Sequence, residues 1–279
     1  MKKLSMILGL SVVLLLSACG ETATSDSSGK EADAATEKAS SKGIVKPEEF
    51  DQMYSSPKEY EGYTVEFTGQ VFAEPERDAD GIYLQVYAKP EDFEQNVIVG
   101  IEEPDLKVAT EDYVKITGTV KDQMEGENAL GGVISAPIVL ADTIEVVDYI
   151  TAVSPTIKEI AVDAEQDQHG FLVNVQKIEV ADNQTRVYVK VTNNTSNTIN
   201  FYDHSTKLIV ENKQFEPEYT YETGLPEVQS EILPGIETEG IIIFPAIEPD
   251  LANLKFYAEG YSDDYETEIE PFTFDIQAQ

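Results

Sequence analysis

The sequence predicts a mainly β protein, a small barrel followed by a two-sheet sandwich, carried on an unstructured N-terminal tether. Three observations predict it. Apolar and polar residues alternate with a period of two in a series of short segments, the signature of half-buried strands. Two of the earlier segments carry a glycine in mid-strand, where a strand bends sharply or another backbone comes close. Residues 20–43 hold no aromatic and no large aliphatic side chain, so they cannot bury enough surface to offset their ordering entropy.

A length of 279 residues allows two ordinary domains, and 41% apolar content is enough to build their cores. Asp and Glu number 53 against 19 Lys and Arg, a formal net charge of −34. Such a field repels phosphate polyanions and argues against nucleic acid as a partner, while favouring solubility. The single cysteine excludes an intramolecular disulfide. Thiol catalysis would need a histidine beside it, and the chain has only His169 and His204.

The N-terminus reads as an address. Lys2 and Lys3 precede an apolar run from Leu4 to Leu16, interrupted only by Ser5, Gly9 and Ser11. The run is shorter than the roughly 20 residues a membrane span needs, and fits a secretory signal core. Leu16-Ser17-Ala18-Cys19 then resembles the lipobox of bacterial lipoproteins. That resemblance implies a signal peptide over 1–18, cleavage between Ala18 and Cys19, and a diacylglyceryl group with palmitate-type acyl chains on the Cys19 thiol. It places the protein at the outer face of the bacterial plasma membrane, with the membrane as a partner through the lipid and no other cofactor. Two chains anchor stably where one is marginal, at about 0.8 kcal/mol per buried methylene. Residues 19–45 are then a lipidated flexible linker, of which the low-complexity part reaches roughly 25–30 Å.

The first folded module is expected over 46–150. Pro47 suits the first turn of a short helix that runs to Tyr54, with Glu48 and Glu49 at its positive end. Strands follow at Val65–Val71, Ile82–Tyr87, Val97–Ile101, Val114–Val120 and Ile144–Val147, with Gly69 and Gly118 in mid-strand; five short strands of this kind suggest a small, strongly coiled barrel. Tyr60-Glu61-Gly62-Tyr63 with the run to Val71, and Asp112-Tyr113-Val114-Lys115 with the run to Val120, resemble OB-fold domains of Gram-positive lipoproteins. Asn128-Ala129-Leu130-Gly131-Gly132 and Ala136-Pro137 fit the same pattern. OB-folds commonly bind ligands on the face of strands 2 and 3. With Ile82, Leu84 and Val86 turned inward, Tyr83, Gln85 and Tyr87 turn outward there, as a candidate surface for stacking a sugar or a peptide. Glu76, Asp78, Asp80 and Gly81 imitate the first half of an EF-hand loop, but its last ligand falls on Tyr87, so no metal is assigned.

The second module is expected over 155–279, after the boundary at Ser154-Pro155. Strand patterns occur at Phe171–Val175, Thr185–Asn193, Ile199–Tyr202, Lys207–Glu211, Gly240–Phe244, Leu254–Tyr257 and Pro271–Ile276, and Asn193 to Asn197 is a turn signal. Short strands without a helical period argue for an immunoglobulin-like sandwich. Arg186-Val187-Tyr188-Val189-Lys190-Val191-Thr192-Asn193-Asn194, Lys213-Gln214-Phe215-Glu216-Pro217 and Leu233-Pro234-Gly235 resemble a telokin-like, immunoglobulin-like domain of unknown function, which brings no catalytic residues.

No Gly-rich phosphate loop, nucleophile elbow or metal-spaced His/Cys cluster is present, so no enzyme is expected. The expectation is a non-catalytic surface binding module for an envelope protein, peptide or glycan, since tethering raises local concentration near such components. The alternatives are an accessory subunit of a membrane or wall assembly, and a weak calcium-binding surface protein.

Overall fold

Alternation in the first half of the chain turns one face of every long strand inward, and the sheet closes on itself. The computed structural model describes residues 41–127, 133–219 and 223–278. The expected signal peptide, Ala18, Cys19, the linker to residue 40 and Asn128 to Gly132 lie outside them. The chain is mainly β, 56% strand and 8% helix, so its cores are made by sheet faces.

A 3-10 turn (Pro47–Glu49) leads into α1 (Phe50–Ser55), close to the expected helix. Then come β1 (Thr64–Val71), β2 (Glu76–Arg77), β3 (Ile82–Lys89), β4 (Glu94–Ile101), β5 (Tyr113–Glu127) and β6 (Val133–Val147). They form one sheet in the order β1-β5-β6-β4-β3-β2, and a further pairing of β1 with β3 closes it into a barrel. The β4–β6 pairing is parallel and the others are antiparallel. Val65, Leu84, Val86, Val99 and Ile116 fill the interior, with Met53 from α1 buried among them. The sequence pattern marks only the last four residues of β6, Ile144–Val147, whereas the strand begins at Val133 and runs through Ala136-Pro137. Pro137 is tolerated because it sits one residue before the pairing with β4 begins.

The last residues assigned by composition to the flexible linker are pinned instead. Lys42 N donates to Gly62 O, Thr64 N to Gly43 O and Val45 N to Thr64 O, and Val45 is buried. Fixed structure is therefore present before residue 46, where Ile44 and Val45 bring the first aliphatic side chains after the low-complexity stretch.

A helix the sequence reading lacks, α2 (Tyr149–Val153), follows the barrel, capped by Asp148 accepting from Thr151 N at 2.7 Å. It bonds to elements on both sides. Thr68 Oγ1 donates to Ala152 O and the Tyr149 ring meets Tyr113 edge-on at 5.7 Å. Tyr149 Oη donates to Gln184 Oε1, and Asn183 Nδ2 to Val153 O.

The remaining strands are β7 (Lys158–Gln168), β8 (Phe171–Val180), β9 (Gln184–Asn193), β10 (Ile199–Val210), β11 (Lys213–Phe215), β12 (Glu231–Ile232), β13 (Glu237–Pro245), β14 (Asn253–Ser262) and β15 (Phe272–Gln277). They make a four-stranded sheet, β13-β9-β8-β7, and a five-stranded one, β11-β10-β14-β15 with β12 on β10. One core joins them, with Phe171 and Phe244 from the first sheet and Phe201, Phe256 and Phe272 from the second. The two segments read as separate strands at Ile199–Tyr202 and Lys207–Glu211 are one strand, β10, with an irregularity between Tyr202 and Lys207. Asn193 closes the expected turn: its buried amide donates to Asn197 O and Ile232 O and accepts from Thr195 N.

β7, rich in acids, has no apolar run that marks it as a strand. Two of its glutamines clip the edge of the other sheet. Gln166 donates to Thr273 O and accepts from Thr273 N, and Gln168 does the same with Glu270. Each amide presents the donor and acceptor that a neighbouring strand would. Removing both side chains, in Gln166→Ala/Gln168→Ala, should lower stability by about 1 kcal/mol per amide. Urea denaturation measures this, and an unchanged midpoint would discard the clip.

Candidate functional site

The outward face of β3 and β4 is built by register. Tyr83 lies opposite Gly100, Gln85 opposite Ile98 and Tyr87 opposite Asn96, while Ile82, Leu84 and Val86 are buried. The parity expected for Tyr83, Gln85 and Tyr87 is therefore the parity observed, yet the two tyrosines differ.

Tyr83 is 50% exposed. Its ring lies against the backbone of Gly100, where an added Cβ would sit 3.3 Å from Tyr83 Cε1. The glycine backs one side of the ring and leaves it supported as a stacking surface. Beside it opens a groove of about 280 Å³, lined by Glu74, Glu76, Tyr83, Leu84, Gln85, Ile98 and Met124. β2 positions Glu76 directly opposite Tyr83. The next residue, Arg77, donates to Pro104 O, Leu106 O and Val108 O, so this guanidinium fastens the loop before β5.

Tyr87 is packed. Phe72, just beyond β1, stacks on it at 3.9 Å with rings 16° from parallel, and Phe93 meets it edge-on at 6.1 Å. Phe93 is itself 64% exposed on a turn with φ of 55°. Phe72 and Phe93 are the aromatic members that the alternation pattern misses, because they come from turns at the strand ends.

The acidic turn after β2 is occupied by its own backbone. Asp78 Oδ1 accepts from Asp80 N at 2.9 Å and Gly81 N at 3.0 Å, which closes the hairpin. Among the described residues no group of three or more His, Cys, Asp or Glu is placed to hold a metal ion. His204 is exposed, with Nδ1 3.5 Å from Asp203 Oδ1. No helix among the described residues is long and apolar enough to cross a membrane.

The groove can stack a flat or ring-shaped group on Tyr83, hydrogen-bond it through the Gln85 amide, and repel anions through Glu74 and Glu76. Known families give no match to the chain, and no curated protein is similar to it. Among solved structures, a functionally unknown protein from Listeria monocytogenes EGD-e is similar over 44% of this chain and 86% of its own, at 10% identity and a TM-score of 0.35. A conserved hypothetical protein from Bacillus anthracis is similar over 44% of this chain and 96% of its own, at 16% identity and a TM-score of 0.31.

Proposed function

We propose that this is a lipid-anchored, non-catalytic binding protein, held through Cys19 at the outer face of the bacterial plasma membrane. Its barrel takes a neutral or cationic segment of an envelope protein, peptide or glycan. The barrel is read as an OB-fold, on a closed order β1-β3-β4-β6-β5 with β4 and β6 parallel. The second body is read as immunoglobulin-like, on two antiparallel sheets sharing one core. The observation that carries the binding role is Tyr83, backed by Gly100 and half exposed beside a groove. Such a ring contributes large contact area at the cost of few rotatable bonds.

A photoreactive phenylalanine analogue at position 83 should cross-link one discrete envelope component in living cells, while the same analogue at the exposed Glu145 position should not. A smear or silence at position 83 would remove the barrel face as the site. For the anchor, Cys19→Ala should abolish incorporation of labelled fatty acid, and label retained on that variant would refute it.

A further inference from the structure

On the solvent side of the five-stranded sheet, strand pairing gathers three tyrosines around one carboxylate. β10 sets Tyr202 opposite Glu259, and β14 places Tyr257 and Tyr261 two residues to either side of Glu259 on the same face. The Tyr202 and Tyr261 rings are 5.6 Å apart, and Tyr202 also touches the His204 ring at 5.4 Å. Tyr261 is 39% exposed, and Tyr202, Tyr257 and Glu259 are half-buried, so the group borders solvent.

Glu259 is held without being neutralised. Tyr257 Oη donates to its Oε1 at 2.5 Å, which fixes the carboxylate. Among the described residues no lysine, arginine or histidine pairs with it. The two lysines on neighbouring positions are engaged elsewhere, Lys207 with Glu216 at 2.9 Å and Lys255 with Asp275 at 3.1 Å. Asp263, bonded by Asn200 Nδ2, adds a second negative charge at the rim.

We infer that this face is a second binding site, separate from the barrel groove, for the alkylammonium side chain of a lysine-bearing peptide. A cation within about 6 Å of a tyrosine ring is attracted by the ring's negative face, and a fixed carboxylate adds a charge-assisted hydrogen bond. The chain's net charge of −34 attracts such a peptide before contact. A carboxylate surrounded by phenol rings has little to offer an anion or an aliphatic chain.

The test uses the full-length protein in detergent and the capped peptide Gly-Lys-Gly-Lys-Gly, with binding read by calorimetry. Saturable binding is expected, together with its loss when both lysines are Nε-acetylated. Glu259→Gln and Tyr202→Leu should each weaken binding at least tenfold, with the urea midpoint of Glu259→Gln close to that of the parent. Glu165→Gln, on the acidic outer row of β7, should change it less than twofold. Absence of saturable binding, equal binding of the acetylated peptide, or equal weakening by Glu165→Gln would overturn the site, the last by reducing it to diffuse attraction.

Discussion

Glu179→Ala is expected to destabilise the protein by about 3–5 kcal/mol, because it strands a guanidinium with no access to water. Arg186 is 0% exposed and spends all its polar atoms internally. Its Nε and Nη2 donate to Glu179 Oε2 at 3.1 and 3.0 Å, its Nη1 to Ser154 O and Oγ, and its Nη2 also to Thr156 Oγ1. Glu179 is also bonded by Tyr188 Oη, Thr156 Oγ1 and Lys177 Nζ. Arginine cannot escape burial by losing its proton, so the variant keeps the charge and loses its partner. Arg186→Met should cost less, since Lys177 still faces the Glu179 carboxylate, and Glu179→Leu/Arg186→Met should recover most of the loss. Chemical denaturation of the three variants measures this. A double variant as unstable as Glu179→Ala alone would contradict the explanation.

The same group sets an acid limb. Burial alone would raise the Glu179 carboxyl, but hydrogen bonds from Lys177, Tyr188, Arg186 and Thr156 outweigh it and hold the group at about 2, against an ordinary 4.5. A carboxyl with a lowered folded pKa stabilises in full above its unfolded value, and the contribution disappears as pH falls through the folded one. The stability due to Glu179 is therefore present above about 4.5 and lost towards 2. In Glu179→Ala the fall in stability between those two pH values should be visibly shallower. Because Ser154 and Thr156 flank the step from α2 into β7, the network also ties that connection to the four-stranded sheet.

What could be read in advance depended on how local each feature is. The inward set Ile82, Leu84 and Val86 needed only the two-residue period, so the outward parity of Tyr83, Gln85 and Tyr87 followed. The difference between Tyr83 and Tyr87 did not, because it depends on Phe72 and Gly100, which reach β3 from the end of β1 and across the β4 register. β7 carries no apolar alternation because its inward positions include Gln166 and Gln168, amides bonded to Thr273 of β15 and to Glu270 just before it. Arg186 lies in a run of strand-like residues, and nothing local distinguishes a buried arginine from an exposed one; Glu179 and Ser154 become its partners only once β8, β9 and the α2–β7 connection are assembled. The Tyr202, Tyr257 and Tyr261 grouping around Glu259 needed the register of β10 on β14, two strands far apart in the chain.

Gly69→Ala should open the barrel at its seam, at a cost of about 3 kcal/mol, the upper part of the usual range for an overpacked site. The seam is short: β1 meets β3 at Gln70 opposite Tyr87 and Val71 opposite Val86. A Cβ on Gly69 would lie 2.4 Å from Tyr87 O and 2.6 Å from Val86 Cγ1, so one obstacle is backbone that cannot move without parting these strands. Gly118 faces the same constraint on the opposite side of β1's neighbour, where a Cβ would lie 2.5 Å from Leu140 O, beside the register shift between Thr117 and Gly118. Both glycines stand in mid-strand, where their lack of a side chain costs stability in an ordinary sheet. Here it permits the strong coiling that lets five strands close around Val65, Leu84 and Ile116. Amide hydrogen exchange separates this from a general loss of stability. In Gly69→Ala, amides of β1 and β3 should exchange faster while those of β8 and β9, in the other core, stay protected. Uniform acceleration across both cores, or none, would show that the seam does not depend on the glycine.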